Sequence, residues 1–487
     1  MERKGWFGLL PFLEEWNPSE DKAEKSALVL AGGGSRGSFQ IGALRYLYSK
    51  TDLAPETIVG TSAGSIVGAT LAQSKDPAAQ YAYLRKVEQL WLGMNSQDEM
   101  FQTRHWVDTL QNLLPELRSI VEAEQKADRI EFPNPLAKIY PRLRGQEQDV
   151  AIPELPPAPT DPQEITVQLA TKDAQAKPIA WNPALVAALW NAVPTIGRHG
   201  GDVAGALREA GEAGSLFVPG KIITQLLSRE TFDSAKVANS GVDFRAAMVG
   251  LRTGKLRFIR GDGVIVNEID QPIGEEPYEL SLGILASCSI PGAFRPVELG
   301  QEIYVDGGTR ENVPVELAIS ALGVTKPVVI TCHPKEMLPA KELSPSDIIA
   351  VMMRAVTVVT NETERDEVEY ARSSGALVID PLFGVHDMLE IEPGLLTINR
   401  DYGWIRAAEE TLNAPLKARE INTSIIKARM QSWALEKEVI TGNTDSEIAA
   451  QISTIKLRIH DLMLRADKQL LPPWHNAWWQ NYEKHAS

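Results

Sequence analysis

Apolar positions near the start of the chain follow two alternating rhythms. Ser26 to Ala31 is a short apolar run that stops at three glycines, and Thr57 to Val59 is a second that stops at Gly60. Short apolar runs closed by turn residues predict buried parallel strands. After the first run, Phe39, Ile41, Leu44, Leu47 and Tyr48 recur at helical spacing. After the second, Ala63, Ile66, Val67, Thr70 and Leu71 do the same. The order strand, helix, strand, helix predicts a right-handed parallel crossover. It puts both glycine turns at the C-terminal ends of adjacent strands, the edge where open α/β sheets bind ligands.

The rhythm breaks from about residue 95 to 240. Three prolines fall between Glu131 and Arg144, Ile152 to Pro162 is proline-rich, and Trp181 to Trp190 reads as a short apolar helix. A stretch this long inside a compact domain predicts an inserted subdomain, acting as a lid or as added scaffold. Sheet patterning returns at Val242 to Leu251, with a turn at Thr253-Gly254 and a return strand from Lys255 to Ile259. Tyr278 to Ala286 reads as a helix, and Ile303 to Val305 as a strand stub. Pro327 to Thr331 and Ala376 to Ile379 read as further buried strands. From Trp404 onward the pattern is helical, with Ile452, Ile455, Ile459, Leu462 and Met463 on one face. The expected organisation is an apolar arm at 1–25, a main domain at 26–400 carrying the 95–240 insert, and a helical extension at 401–487.

Composition narrows the class. The chain has 487 residues, 44% hydrophobic and 23% charged, the balance of a folded globular protein. A formal net charge of -15 disfavours nucleic acid as a partner and opposes simple adhesion to anionic lipid. Cys288 and Cys332 are the two cysteines, which suits a reducing compartment and makes no zinc-like cluster. The run Trp6 to Trp16 is broken by Pro11, Glu14 and Glu15 and reads as an apolar arm rather than a signal peptide. Ile348 to Val359 contains Arg354 and is too short to span a bilayer. The chain therefore reads as cytoplasmic, with peripheral membrane contact left open.

Three glycine-framed turns carry the candidate chemistry. Gly60-Thr61-Ser62-Ala63-Gly64, between strand and helix, has the form of a nucleophile elbow, in which the flanking glycines permit a strained turn that exposes the serine. Gly32-Gly33-Gly34-Ser35-Arg36-Gly37 leaves backbone N–H groups uncovered, as an oxyanion hole requires. It lacks the Gly-Lys-Ser/Thr of a phosphate loop and the glycine spacing of a dinucleotide fingerprint. Asp306-Gly307-Gly308 offers a carboxylate just after a strand. A free carboxyl with a pKa of ~3.9 is a weak base toward a serine hydroxyl, so Asp306 serves only if it is held close in a site that excludes water. His333 and His386 each follow a strand late enough to complete the order Ser, Asp, His. The residues alone leave dyad and triad both open.

The ordered set resembles the patatin-like phospholipase family. Gly32, Gly33, Gly34, Arg36 and Gly37 match its oxyanion loop, Gly60, Ser62 and Gly64 its elbow, and Asp306 and Gly307 its aspartate motif, continued by Asn312 and Pro314. Ala286 to Phe294 resembles the segment preceding the aspartate strand. The resemblance covers about 26–75 and 242–330. It implies an α/β fold with a mostly parallel central sheet and flanking helices. It further implies a Ser62–Asp306 dyad without cofactor or metal, and His333 as incidental. The expected activity is release of ester-linked fatty acids from phospholipids or related lipids. A silent lipid-binding module and a triad esterase remain as alternatives. Arg36 has a loop-holding and a phosphate-meeting reading. The aromatic tail, Trp474 to Tyr482, reads mainly as packing. Oligomeric state is not legible.

Overall fold

The computed structural model describes residues 24–107, 109, 215–274, 276–334, 348–443 and 445–485. Most of the arm, most of the insert and the Trp181 to Trp190 helix lie outside the described residues.

Eleven strands are described: β1 (Ser26–Leu30), β2 (Thr57–Thr61), β3 (Phe101–Thr103), β4 (Phe217–Pro219), β5 (Asp243–Gly250), β6 (Lys255–Arg260), β7 (Ile265–Val266), β8 (Val297–Leu299), β9 (Glu302–Asp306), β10 (Lys326–Ile330) and β11 (Leu377–Ile379). The main sheet runs β11-β10-β1-β2-β5-β6-β7. Its first five strands are mutually parallel, whereas β6, β7 and the β8–β9 hairpin pair antiparallel. The separate β3–β4 ribbon is antiparallel. β1 is buried on both faces: Leu28 and Leu30 enter one hydrophobic core, Ala27, Val29 and Ala31 the other. Side chains alternate across a strand, so a run apolar at every position needs cover on both faces.

The described helices are α1 (Gly37–Lys50), α2 (Ala63–Leu71), α3 (Pro77–Leu92), α4 (Lys221–Leu226), α5 (Ser234–Asn239), α6 (Leu280–Ser287), α7 (Ile348–Ser373), α8 (Pro393–Thr411), α9 (Leu416–Ile440), α10 (Ser446–Arg465) and α11 (Ala477–Gln480). The helical C-terminal region begins at Pro393, earlier than the Trp404 read from periodicity, so residue 400 lies inside α8. The reason is packing. α8 crosses α1 so closely that a Cβ on Gly42 would lie 1.7 Å from the Arg400 carbonyl oxygen, and one on Gly403 1.9 Å from that of Phe39. Edge-to-face pairs of Phe39 with Tyr402 and Tyr46 with Trp404, each at 5.5 Å, extend the contact. Gly42→Ala is expected to destabilise the chain by about 3 kcal/mol, because backbone rather than a movable side chain blocks the added methyl. Urea unfolding would measure it.

The tail is fastened by buried ions. Arg429 bonds Asp401 at 2.8 Å and Glu483 at 2.7 Å, and Lys456 bonds Glu436 at 2.8 Å and Glu483 at 3.0 Å. Trp474 donates to Asp401 at 2.8 Å, and Trp478 is fully buried, so these two aromatics pack against protein. Among the described residues no helix is long and apolar enough to cross a membrane.

Candidate active site

Sheet register assembles the site. β6 occupies one edge of β5. The other edge is shared: β2 pairs parallel along its first half, ending at Thr61 opposite Ala247, and β9 pairs antiparallel along its second half, ending at Asp306 opposite Met248. Two strands running toward each other along one edge must meet head to head. Ser62 follows the last residue of β2, and Asp306 is the last residue of β9, so they meet there.

Ser62 sits at φ 53°, ψ −125°, a conformation few non-glycine residues adopt. Such backbone costs about 1–3 kcal/mol and persists only where its surroundings hold it. Here α2 starts directly against the sheet. A Cβ on Gly60 would lie 2.5 Å from the Gly64 carbonyl oxygen, and one on Gly64 would lie 2.4 Å from that of Leu30. The Ser62 N–H donates to Ser287 Oγ at 3.0 Å, fixing the elbow to the end of α6.

Asp306 is buried, with 5% of its surface exposed. Its N–H donates to the Ser289 carbonyl at 3.0 Å, and its Oδ1 accepts from Gly308 N–H at 2.8 Å. Burial pushes its pKa up to about 7, with the Ser62 hydroxyl and the Gly308 N–H pulling the other way. Oδ2 is buried without a hydrogen-bond partner, and the Ser62 hydroxyl lies near enough to the Asp306 carboxyl to pull on its pKa. Catalytic contacts commonly tighten only around substrate. Desolvation of this kind makes the carboxyl a stronger base than a free aspartate.

The glycine turn closes the third side. A Cβ on Gly32 would lie 3.1 Å from Ser62 Cβ and 2.4 Å from Asn312 Oδ1, so only glycine lets the turn approach both. Gly32 N–H reaches the Asn312 carbonyl at 3.3 Å. Among the described residues, the N–H groups of Gly33 and Gly34 make no backbone bond outside the turn itself. Gly34 has φ +56°. Gly37 packs against Trp91, and Gly307 approaches the Ala247 backbone. Arg36 is buried, donates Nε to the His386 carbonyl at 2.9 Å and pairs with Asp387 at 3.1 Å. It holds the 386–388 segment against the glycine turn and does not line the central cavity.

That cavity, of about 40 Å³, is lined by Ser62, Asp306, Gly32, Gly33, Asn312 and His333. α7 covers it with Val356, Thr357 and Thr360, and Met388, Ile290, Pro291, Gly308 and Thr309 complete the wall. The space takes a few waters but no acyl chain. His333 therefore reaches the site, with Glu364 and Asn312 as its bonded partners. His386 lies apart: its Nδ1 contacts the Asp387 carbonyl at 2.9 Å, and burial and Arg36 push its pKa down to about 4. A second cavity of about 420 Å³ runs along the other flank of α7 and shares His333. Sequence reasoning gives no role to Ser287, although it lies in the family-like 286–294 segment, and misses Met388 and the covering role of α7. The apolar stretch from Ile348 to Val359 is the available signal, and its pattern is weighed above only as a membrane span.

Several proteins resemble this chain. Among solved structures, VipD from Legionella pneumophila shares 11% identity over 96% of this chain and 90% of its own, with a TM-score of 0.34. The heterodimeric ExoU–SpcU complex from the type III secretion system of Pseudomonas aeruginosa contributes a chain with 14% identity, 94% and 68% coverage and a TM-score of 0.21. Comparison with curated proteins gives no match. A family described as patatin-like phospholipase matches residues 28–319, a span that contains all three glycine-framed turns. With more than half of its length so matched, the chain belongs to the patatin-like phospholipase family, whose members are lipid acyl hydrolases.

Proposed function

We propose that the chain hydrolyses ester-linked fatty acids of phospholipids or related lipids, as a phospholipase A or lysophospholipase, through a Ser62–Asp306 dyad. Ser62 Oγ attacks the ester carbonyl while its proton passes to Asp306 Oδ2. The Gly32–Gly34 turn stabilises the tetrahedral oxyanion, the alcohol leaves with the proton, and water attacks the acyl-serine by the reverse transfer. The observation that carries this reading is the head-on meeting of β2 and β9, which brings the elbow serine to a buried carboxyl whose Oδ2 has no hydrogen-bond partner. His333 meets Glu364 through Nδ1, the nitrogen that a triad carboxylate also holds, so the dyad rests on Asp306 and the His333→Ala variant decides between the two. At about 40 Å³ the cavity is too small for an acyl chain, so part of its wall must move aside for substrate to enter. The protein acts from a cytoplasmic location, with lipid met at a peripheral surface. Labelling by a fluorophosphonate, with the adduct mapped by mass spectrometry, and a lipid panel read by released fatty acid test the proposal.

A pH profile adds a quantitative check. The base acts when ionised, and its pKa lies at about 7. Hydrolysis of a small soluble ester should therefore rise with pH through an inflection in kcat/KM near 7 and flatten above it. An inflection close to the ordinary carboxyl value of ~3.9 would contradict a desolvated Asp306.

A further inference from the structure

We infer that Glu364 of α7 is a positioning residue for the oxyanion turn, acting through Asn312; the inference rests on the Ser–Asp reading above. Glu364 lies outside the family-matched residues 28–319, on a helix whose sequence carries no catalytic motif. Its side chain is 4% exposed. Its Oε2 accepts from Asn312 Nδ2 at 2.6 Å and lies 2.5 Å from His333 Nδ1.

Asn312 in turn grips Gly32 at both of its peptide groups. The Asn312 carbonyl accepts from Gly32 N–H at 3.3 Å, and Asn312 Nδ2 reaches the Gly32 carbonyl at 3.4 Å. Asn312 Oδ1 fills the space that a Cβ on Gly32 or Gly308 would need, so one carboxamide spaces the glycine turn from the aspartate turn. That carboxamide has two orientations of similar shape and opposite hydrogen bonding. An acceptor oxygen held beside Nδ2, from a carboxylate or a carboxamide of the same reach, selects one of them.

α7 is shaped for this contact. Thr360, Glu364 and Glu367 stand at i, i+4 and i+7, one stripe of a helix. Thr360 Oγ1 donates to the Gly308 carbonyl at 3.3 Å. Glu367 accepts from Asn312 N–H at 3.1 Å and from Val313 N–H at 2.7 Å. The helix that covers the cavity therefore also grips the turn between Asp306 and Val313. Glu364 is the member of the stripe that reaches the Asn312 side chain. Positioning by geometry depends on reach, whereas a charge relay through His333 would depend on charge. Glutamine keeps the reach and loses the charge; aspartate does the opposite.

The test uses the full chain and a p-nitrophenyl ester of a short acid, with circular dichroism on each variant. E364D should lower kcat about tenfold or more with KM within about twofold, as displacement of a preorganised group does. E364Q should stay within about threefold of wild type. In an N312A background, E364D should cost less than about twofold further, because the effect passes through Asn312. The inference is overturned if E364D keeps wild-type kcat, if its loss lies in KM alone, if E364Q falls below E364D, or if the two losses multiply in full. Fluorophosphonate mapping of the wild type separates this from the parent reading. If Ser62 is labelled and E364D is unaffected, only the positioning role fails. If active wild type carries its label elsewhere, the dyad and this role fail together.

Discussion

Ser62→Ala is expected to lower kcat/KM for ester hydrolysis by ~10⁴-fold or more, the scale of losing a nucleophile from a covalent mechanism. The change removes one oxygen from a small cavity and leaves the backbone strain as it was, since serine and alanine share the same difficulty at φ 53°. The elbow keeps its anchor, because the bond to Ser287 Oγ comes from the Ser62 N–H rather than from the side chain. Thermal stability should therefore stay close to wild type while fluorophosphonate labelling disappears. Residual activity within about tenfold of wild type, in a folded variant, would remove Ser62 from the mechanism.

Asp306→Asn should cost ~10³-fold in kcat or more, because the amide matches the carboxyl in shape but accepts no proton. Its second consequence is of opposite sign. A carboxyl raised from 3.8 to about 7 binds its proton more tightly folded than unfolded. Its contribution is favourable below pH about 4 and is lost as pH rises through about 7, where the folded chain carries a buried charge. At about 1.4 kcal/mol for each pH unit, the ionised group costs the folded state up to about 4 kcal/mol. The variant's carboxamide carries no such charge, so the protein should melt higher than wild type at pH about 8, and the gap should close toward pH about 4. Catalytic sites commonly hold groups that stability would exchange. An unchanged or lowered melting temperature on the alkaline side would contradict the desolvated carboxylate. His333→Ala serves as the control: under the dyad it retains most activity, whereas its inactivity in a folded chain would install the triad.

The amino-acid sequence by itself determined the elements that local patterning encodes. The apolar runs became β1 and β2, the helical repeats after them became α1 and α2, and the pair is parallel as their order required. The glycines marked the turns because close backbone approach excludes any Cβ, a constraint written residue by residue. Local pattern showed Asp306 only as a carboxylate in a turn, and its pairing with Ser62 came from the family resemblance. Its strength as a base came from burial to 5% exposure, which depends on β9 meeting β2 along one edge of β5. No local pattern encodes which strands share an edge, so neither the meeting nor the pKa was legible. α7 escaped for a related reason. Its apolar first half suited a buried strand, a short span or a covering helix equally well, and the sheet decided among them. The contact of Glu364 with Asn312 joins residues 52 positions apart, and that of Asn312 with Gly32 joins residues 280 apart. Local sequence specifies backbone conformation through sterics and periodicity. Desolvation, register and long-range hydrogen bonds arise when distant segments pack, so the tertiary structure alone set the chemistry of this site.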